Sequence, residues 1–343
     1  MNNEQQKKVL LQMFLFLLIL QVLTGFEYWR DSSVPASNGE GGTLTVSVKP
    51  DMTVKDIGEV LFQNGIIHNV TIFRIIAKAQ GVEKSLQAGD YALNPSLSTL
   101  EIIDKMVKGD TVFRLMTIPE GYTVEQVAKM LDAQGLGDGA KFKVLARKYA
   151  PFGYIGQQSE IVYSAEGYIF PDTYRVNGDL TEAALLEMMV ANFDKKFTPE
   201  MRARAKTLGL SLHQVVTLAS LVEKEAKLAK ERPVIAGVFF NRLKQDMPLQ
   251  SCPTIQYILG YPKAELTIAD TQIVSPYNTY QNPGLPPGPI ASPGVAAIQA
   301  VLYPADTPYL YFVAAQDGSH RFSKTYEEHL AAIDEMADQA TEK

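Results

Sequence analysis

The sequence predicts an α+β protein carried on one N-terminal membrane anchor, and three observations lead there. An 18-residue apolar run, Val9 to Phe26, is broken only by Gln12, Gln21, Thr24 and Gly25. A short β-turn-α pattern that begins near residue 43 recurs farther along the chain. From Pro199 the pattern turns helical, then becomes rich in proline and tyrosine. Of 343 residues, 46% are hydrophobic and 20% charged, enough to bury real cores and too apolar for disorder. The net charge of −6 argues against a nucleic-acid binder, which is normally basic.

A helix as long as the apolar run just crosses a hydrocarbon layer of roughly 30 Å. Lys7 and Lys8 precede it and Glu27, Arg30 and Asp31 follow, so residues 1–30 read as a cytoplasmic tip and a single span. The positive-inside rule then leaves the bulk of the chain outside the cytoplasm, at the cytoplasmic (inner) membrane. Tyr28 and Trp29 sit where interfacial aromatics belong. The rival reading is a cleaved signal peptide, against which stands the lack of a small-x-small site after the run. Residues 31–42, rich in Ser, Pro, Gly and Asn, read as a flexible linker. Cys252 is the single cysteine, so the core, without any intramolecular disulfide, must hold the fold. Histidines 68, 213, 320 and 329 show no metal-ligand spacing, and nothing calls for a metal or other cofactor.

Thr43 to Val48 alternates and is β-branched, a strand; Thr53 caps a helix with Ile57, Val60 and Leu61 on one face, and Gly65 ends it. At an offset of 70 residues, Thr53, Ile57, Leu61 and Gly65 map onto Thr123, Val127, Leu131 and Gly135. At an offset of 83, Tyr91, Asn94, Leu97 and Met106 map onto Tyr174, Asn177, Leu180 and Met189. Residues 43–110 and 112–197 therefore read as two copies of one small α/β unit, the second with an insertion around residues 137–165. Chance similarity between common β-turn-α patterns is the other reading. The Gly135-x-Gly-x-Gly139 stretch lies between two helices and reads as a turn, not a phosphate loop.

In residues 198–343, Ser211 caps a helix expected to run to about Lys230, and a second runs from Val234 to Leu243. Tyr277 to Gly294 is a proline-rich loop, Ala296 to Leu302 a short helix, Tyr309 to Val313 a strand, and a last helix starts near Tyr326. On the first of these helices Val215, Leu218, Ala219, Val222 and Ala226 share a stripe, with Glu223 and Glu225 on its opposite edges. Two such glutamates cannot grip one bond together. Glu225, among Leu218, Leu221, Val222 and Leu228, is the better general acid, since burial raises a carboxyl pKa. Glu223 stays a secondary carboxylate, with Lys227 expected as its solvent salt bridge at i+4. A bare glutamate at a helix edge is more often structural. Ser220 and Lys224 share a face, but they lack the spacing of a Ser–Lys nucleophile.

Leu218-Ala-Ser-Leu-Val-Glu-Lys-Glu225, Val238-Phe-Phe-Asn-Arg-Leu243, Leu249-Gln250, Pro253-Thr254, Ser275-Pro-Tyr-Asn-Thr-Tyr280, Gly284-Leu-Pro-Pro-Gly-Pro-Ile290 and Tyr309-Leu-Tyr-Phe-Val313 stand in this order. Together they resemble the MltG (YceG-like) family of membrane-anchored endolytic murein transglycosylases. The resemblance implies cleavage of nascent peptidoglycan between MurNAc and GlcNAc without water, leaving a 1,6-anhydro-MurNAc end. It implies that Glu225 is the catalytic acid, that residues 43–110 form a LysM-like glycan-binding unit, that residues 111–343 form the catalytic region, and that peptidoglycan synthases are partners. One departure is Cys252, where the family commonly carries an acidic residue. Gln250, Thr254, Tyr277 and Asn278 are the candidates for the substrate-facing wall. A non-catalytic peptidoglycan-binding scaffold and a hydrolytic muramidase are the rival functions.

Overall fold

The computed structural model describes residues 3–36, 42–177, 180–263 and 265–341. It divides into two compact units, Met1–Leu115 with Arg175–Leu180, and Met116–Tyr174 with Thr181–Lys343.

The first unit opens with helix α1 (Asn3–Ser33), whose segment Lys7–Arg30 has a mean hydropathy of 2.3 and is long and apolar enough to cross a membrane. The helix runs past the expected start of the linker at residue 31 because nothing breaks it before Pro35; the Val34 amide still reaches the Arg30 carbonyl. Residues 37–41 of that linker lie outside the described residues. Strand β1 (Leu44–Val48) follows, then α2 (Val54–Gln63), α3 (Val70–Ala79), β2 (Gly89–Leu93) and α4 (Thr99–Lys108). β1 and β2 pair antiparallel with Val46 opposite Tyr91. Thr53 and Asp56 close a capping box on α2, and Ser98 and Glu101 close one on α4, so both helix starts are fixed locally. Leu61, Phe73, Ile76, Tyr91 and Ile102 meet in a fully buried core. Tyr91 can lie inside because its hydroxyl donates to the Gln87 carbonyl at 2.7 Å.

Next come β3 (Arg114–Thr117), α5 (Val124–Gln134), α6 (Gly139–Ala146), β4 (Thr173–Val176) and α7 (Glu182–Lys196), with β3 paired to β4. This is the element order of β1 to α4 again. Thr123 closes a capping box with Gln126, and Gly135 ends α5 at φ 61, as Gly65 follows α2 at φ 69. The connection from α6 to β4 is the long one, and it carries a buried stretch that includes Glu166.

The rest of the second unit is mainly helical. It comprises α8 (Pro199–Thr207), α9 (Leu212–Glu225), α10 (Arg232–Lys244), α11 (Cys252–Leu259), α12 (Ile268–Thr271) and α13 (Val295–Leu302). A hairpin of β5 (Tyr311–Ala314) and β6 (His320–Ser323) follows, with Phe312 opposite Phe322, and α14 (Tyr326–Thr341) packs on it. α9 is the central element, packed by α8, α10, α11 and α13. Beside it, Glu166 is fully buried: its carboxyl accepts the Val124 amide at 3.1 and 3.3 Å and the Tyr257 hydroxyl at 3.3 Å. It thus ties the start of α5 to α11. Burial pushes its pKa up to about 8.

Two expectations follow. Leu61→Ala removes a fully buried side chain and should cost about 3 kcal/mol. Hydrogen exchange should speed up at the β1 and β2 amides, while the α9 amides keep their protection. Glu166 has a folded pKa above its unfolded one, so the stability it contributes is complete below about pH 4.5 and lost as pH rises through about 8. Glu166→Gln should flatten that fall and melt above wild type at pH 9; a wild-type-to-variant gap that stays constant from pH 5 to 9 would refute this.

Candidate active site

α9 starts on a capping box between Ser211 and Gln214 and then buries Val215 through Val222 without interruption. Its two interior hydroxyls are consumed locally. Thr217 donates to the His213 carbonyl at 2.8 Å, and Ser220 donates to the Thr217 carbonyl at 2.7 Å while accepting the Ile290 amide at 3.0 Å. Ser220 is therefore a structural anchor for the proline-rich loop, and Lys224 turns away from it to the Gly121 carbonyl at 3.3 Å. No Ser–Lys dyad forms.

The helix ends at Glu225, five residues earlier than its pattern suggests, because Ala226 takes an extended conformation (φ −75, ψ 110). This overturns the expected Glu223–Lys227 pair, since Lys227 no longer continues the helical face. The Glu223 side chain is instead 6% exposed, pairs with Arg232 at 2.9 Å, and accepts the Gly294 amide at 3.0 Å. It binds the start of α10 and the end of the proline-rich loop to α9.

Glu225 is held differently. Part of the residue stays open to solvent, while its carboxyl is enclosed and receives one hydrogen bond, from the Ser251 hydroxyl to Oε1 at 2.6 Å. Burial pushes its pKa up to about 7, and the Ser251 bond, which favours the ionised form, opposes that rise. The partial negative charge at a helix C-terminus acts in the same direction as burial.

Ser251 is placed by a chain of constraints. It is the N-cap residue of α11, 1% exposed, and its amide donates to the Thr279 hydroxyl at 3.0 Å. Before it, Gln250 sits at φ 51, a left-handed conformation unusual for a residue with a side chain, and its amide donates to the Thr279 carbonyl at 3.0 Å. Buried Arg242 fixes this turn: it donates to the carbonyls of Pro248 (2.9 Å) and Leu310 (2.6 Å) and to the Gln250 side-chain oxygen (3.1 Å). Cys252 opens α11, with its sulfur 3.1 Å from the Tyr280 hydroxyl. Burial raises the pKa of both groups, so both are neutral at pH 7.

The four expected wall residues fare unequally. Gln250 is exposed beside Ser251. Thr254 is fully buried, donating to the Ser251 carbonyl at 2.7 Å and lying 3.0 Å from the Thr279 hydroxyl, so it supports Ser251 from behind. Asn278 is fully buried too; its amide group donates to the Thr271 and Ile273 carbonyls and its oxygen accepts the Tyr280 amide, which shapes the loop. Tyr277 is 2% exposed with its ring against Tyr257. These three form scaffold, not surface. Ser251 and Tyr280 are the polar neighbours that sequence reasoning passed over. A serine directly ahead of a helix with proline in its first turn is an N-cap signal, and it was available.

Residues 46–335 match the YceG-like family. An endolytic murein transglycosylase of Streptococcus pneumoniae (serotype 2, strain D39) is 34% identical over 92% of this chain, which spans 63% of that relative's length. One of Bacillus subtilis (strain 168) is 32% identical over 93% of this chain and 91% of its own. A crystal structure of a yceG-like protein from Listeria monocytogenes matches 85% of this chain and all of its own with a TM-score of 0.59 at 34% identity. A family match over most of the chain, shared by fold and by sequence, leads to one conclusion: this chain belongs to the YceG-like family.

Proposed function

We propose that this chain is a membrane-anchored endolytic lytic transglycosylase acting on nascent peptidoglycan strands, with Glu225 as its acid and then its base. The observation that carries the proposal is the enclosed Glu225 carboxyl with its single hydrogen bond and a pKa near 7. The names of the relatives supply the substrate class.

In the first half of the reaction, protonated Glu225 gives its proton to the glycosidic oxygen between MurNAc and GlcNAc as the C1–O bond breaks. Positive charge develops at C1. In the second half the Glu225 carboxylate takes the proton from the MurNAc 6-hydroxyl, and O6 closes on C1 to give the 1,6-anhydro ring. Glu225 returns to its starting state and no water is consumed. A hydrolase of ordinary type needs a second carboxylate flanking the bond. The nearby candidates are engaged elsewhere: Glu223 by Arg232 and the Gly294 amide, Glu166 by Val124 and Tyr257. The position commonly acidic in the family holds the neutral thiol of Cys252. One carboxyl is enough when the substrate brings its own nucleophile.

The reading extends to the rest of the chain. α1 supports a single span with the catalytic part outside the cytoplasm at the inner membrane. Residues 43–110 would be a LysM-like glycan-binding unit, and the shared order β-α-α-β-α supports 112–197 as its second copy. Synthases of the same strands are the expected partners.

The first test incubates un-crosslinked glycan strands with the full chain in detergent and reads the new ends by mass spectrometry. Wild type should leave anhydro-MurNAc ends, and Glu225→Gln should lower the rate by at least about 100-fold. Reducing ends would instead mark a muramidase, and strands bound but uncut a scaffold. A second test follows pH. Because the acid must start protonated, kcat/KM should fall as pH rises through about 7. Ser251→Ala removes the bond that favours the ionised form and should move the falling limb to higher pH, with Ser251→Thr restoring it. An unmoved limb would reject Ser251 as the residue that sets the acid.

A further inference from the structure

Lys224, the residue before Glu225, lines a cavity of about 100 Å³ that the reaction above does not use. Lys224, Gln126 and Gln256 supply its polar wall, and Pro253, Tyr257 and Ile290 its apolar one. Its position follows from the chain itself. Lys224 directly precedes Glu225, and Pro253 directly follows Cys252, so the cavity and the acid flank the same helix end and the same start of α11.

The lysine is available. Its ammonium has three donors, and the Gly121 carbonyl at 3.3 Å takes one. Among the described residues no carboxylate pairs with it. The charges of Glu223 and Glu166 reach it without an ion pair, since the Glu223 oxygens are bonded to Arg232 and the Gly294 amide and those of Glu166 to Val124 and Tyr257. Glu125, which also lines the cavity, is taken up by Lys143 at 3.1 Å and the Tyr163 hydroxyl at 2.5 Å. A cation with spare donors in a partly enclosed, half-apolar recess is a receptor for an anion with a small apolar stem.

We infer that this cavity is a subsite for a carboxylate carried on the 3-O-lactyl arm of MurNAc, either the arm's own or one on the peptide attached to it. The inference rests on the transglycosylase reading for the identity of the sugar. A MurNAc whose C1 glycosidic oxygen meets Glu225 carries that arm on O3, two ring carbons from C1. The arm's methyl group would lie against Pro253 and Ile290 while Lys224 takes the carboxylate. Lys224 is then a specificity residue, which gives the middle position of the Glu-Lys-Glu triplet a function distinct from both of its neighbours.

The test measures binding, so it does not depend on turnover. Full-length Glu225→Gln protein, and the same protein with Lys224→Gln added, are titrated with three GlcNAc–MurNAc ligands. One carries the free lactyl carboxylate, one a stem peptide on that arm, and one the uncharged lactyl amide. At least one charged ligand should bind about 10-fold tighter than the amide, as one charge-assisted contact of about 1.4 kcal/mol provides. Which of the two does so identifies the source of the carboxylate. Lys224→Gln should bring that ligand down to the amide's affinity and leave the amide unchanged; Lys224→Arg should restore much of the difference. Equal affinity for all three ligands, or a difference that survives Lys224→Gln, overturns the subsite. So does an equal loss for all three. Failure of wild type to cut strands would count against the reaction, whereas these titrations bear on the cavity alone.

Discussion

A carboxyl enclosed at the end of a buried helix, with one hydrogen bond to share, is the constraint from which the rest of the site follows. Apolar burial and the helix terminus both disfavour its charge, and a single serine hydroxyl favours it. The balance lies near pH 7, where a group can give a proton and take one back. A second strong donor would hold Glu225 ionised with no proton to give, and none at all would raise its pKa further and leave it a weaker acid. That balance requires Ser251 to stay within 2.6 Å, and much of the surrounding architecture serves that distance. Arg242 holds the turn before it, Gln250 accepts a left-handed backbone to make the turn, and the two threonines at 254 and 279 brace α11 from inside.

The two glutamates of the triplet show how neighbouring residues of one type take different tasks. Two positions apart on a helix they point about 160° away from each other by the shorter way round. Glu223 meets an arginine and a backbone amide and so stays a charged strut. Glu225 meets a hydroxyl and apolar surface. The proline-rich segment is tied to α9 twice, through the Ile290 amide on Ser220 and the Gly294 amide on Glu223. Its prolines lower the entropy lost in ordering a segment without regular structure, and those two amides give it a fixed seat.

Periodicity and capping made most of the fold legible. Thr53 and Ser211 cap the helices their sequence announces, Thr123 caps α5 as the repeat partner of Thr53, and Gly135 ends α5 as its position requires. The end of α9 was not legible, since Lys227, Leu228 and Ala229 are good helix formers and tertiary packing, not propensity, stops the helix. The enclosure of Glu225 could be read from its apolar neighbours, while its role as acid came from the family resemblance and stands as a proposal. Thr254, Tyr277 and Asn278 could not be told from surface residues, because polar side chains in a motif serve substrate or backbone equally well. Only the structure shows the Thr254 and Asn278 side chains spent on neighbouring backbone and hydroxyl groups, and the Tyr277 ring buried against Tyr257. Glu166 escaped notice for the opposite reason: it lies in the long connection where no repeat partner or helical pattern marks it.

Cys252 bears on the proposal that one carboxyl suffices. Its sulfur stands at the first position of α11, one residue from Ser251, with Tyr280 as its neighbour. A carboxylate there would repel a charged Glu225 and raise its pKa further, and it could also prime a water molecule for attack. A neutral thiol does neither. It leaves Glu225 governed by burial and by Ser251 alone, and it presents a polarizable, weakly hydrogen-bonding surface where an activated water would otherwise be held. In the proposed reaction, an oxocarbenium-like centre formed beside that surface would have the sugar's own 6-hydroxyl as an attached nucleophile, with the Glu225 carboxylate as its base. On that proposal the chemistry depends as much on what residue 252 does not offer as on what residue 225 does.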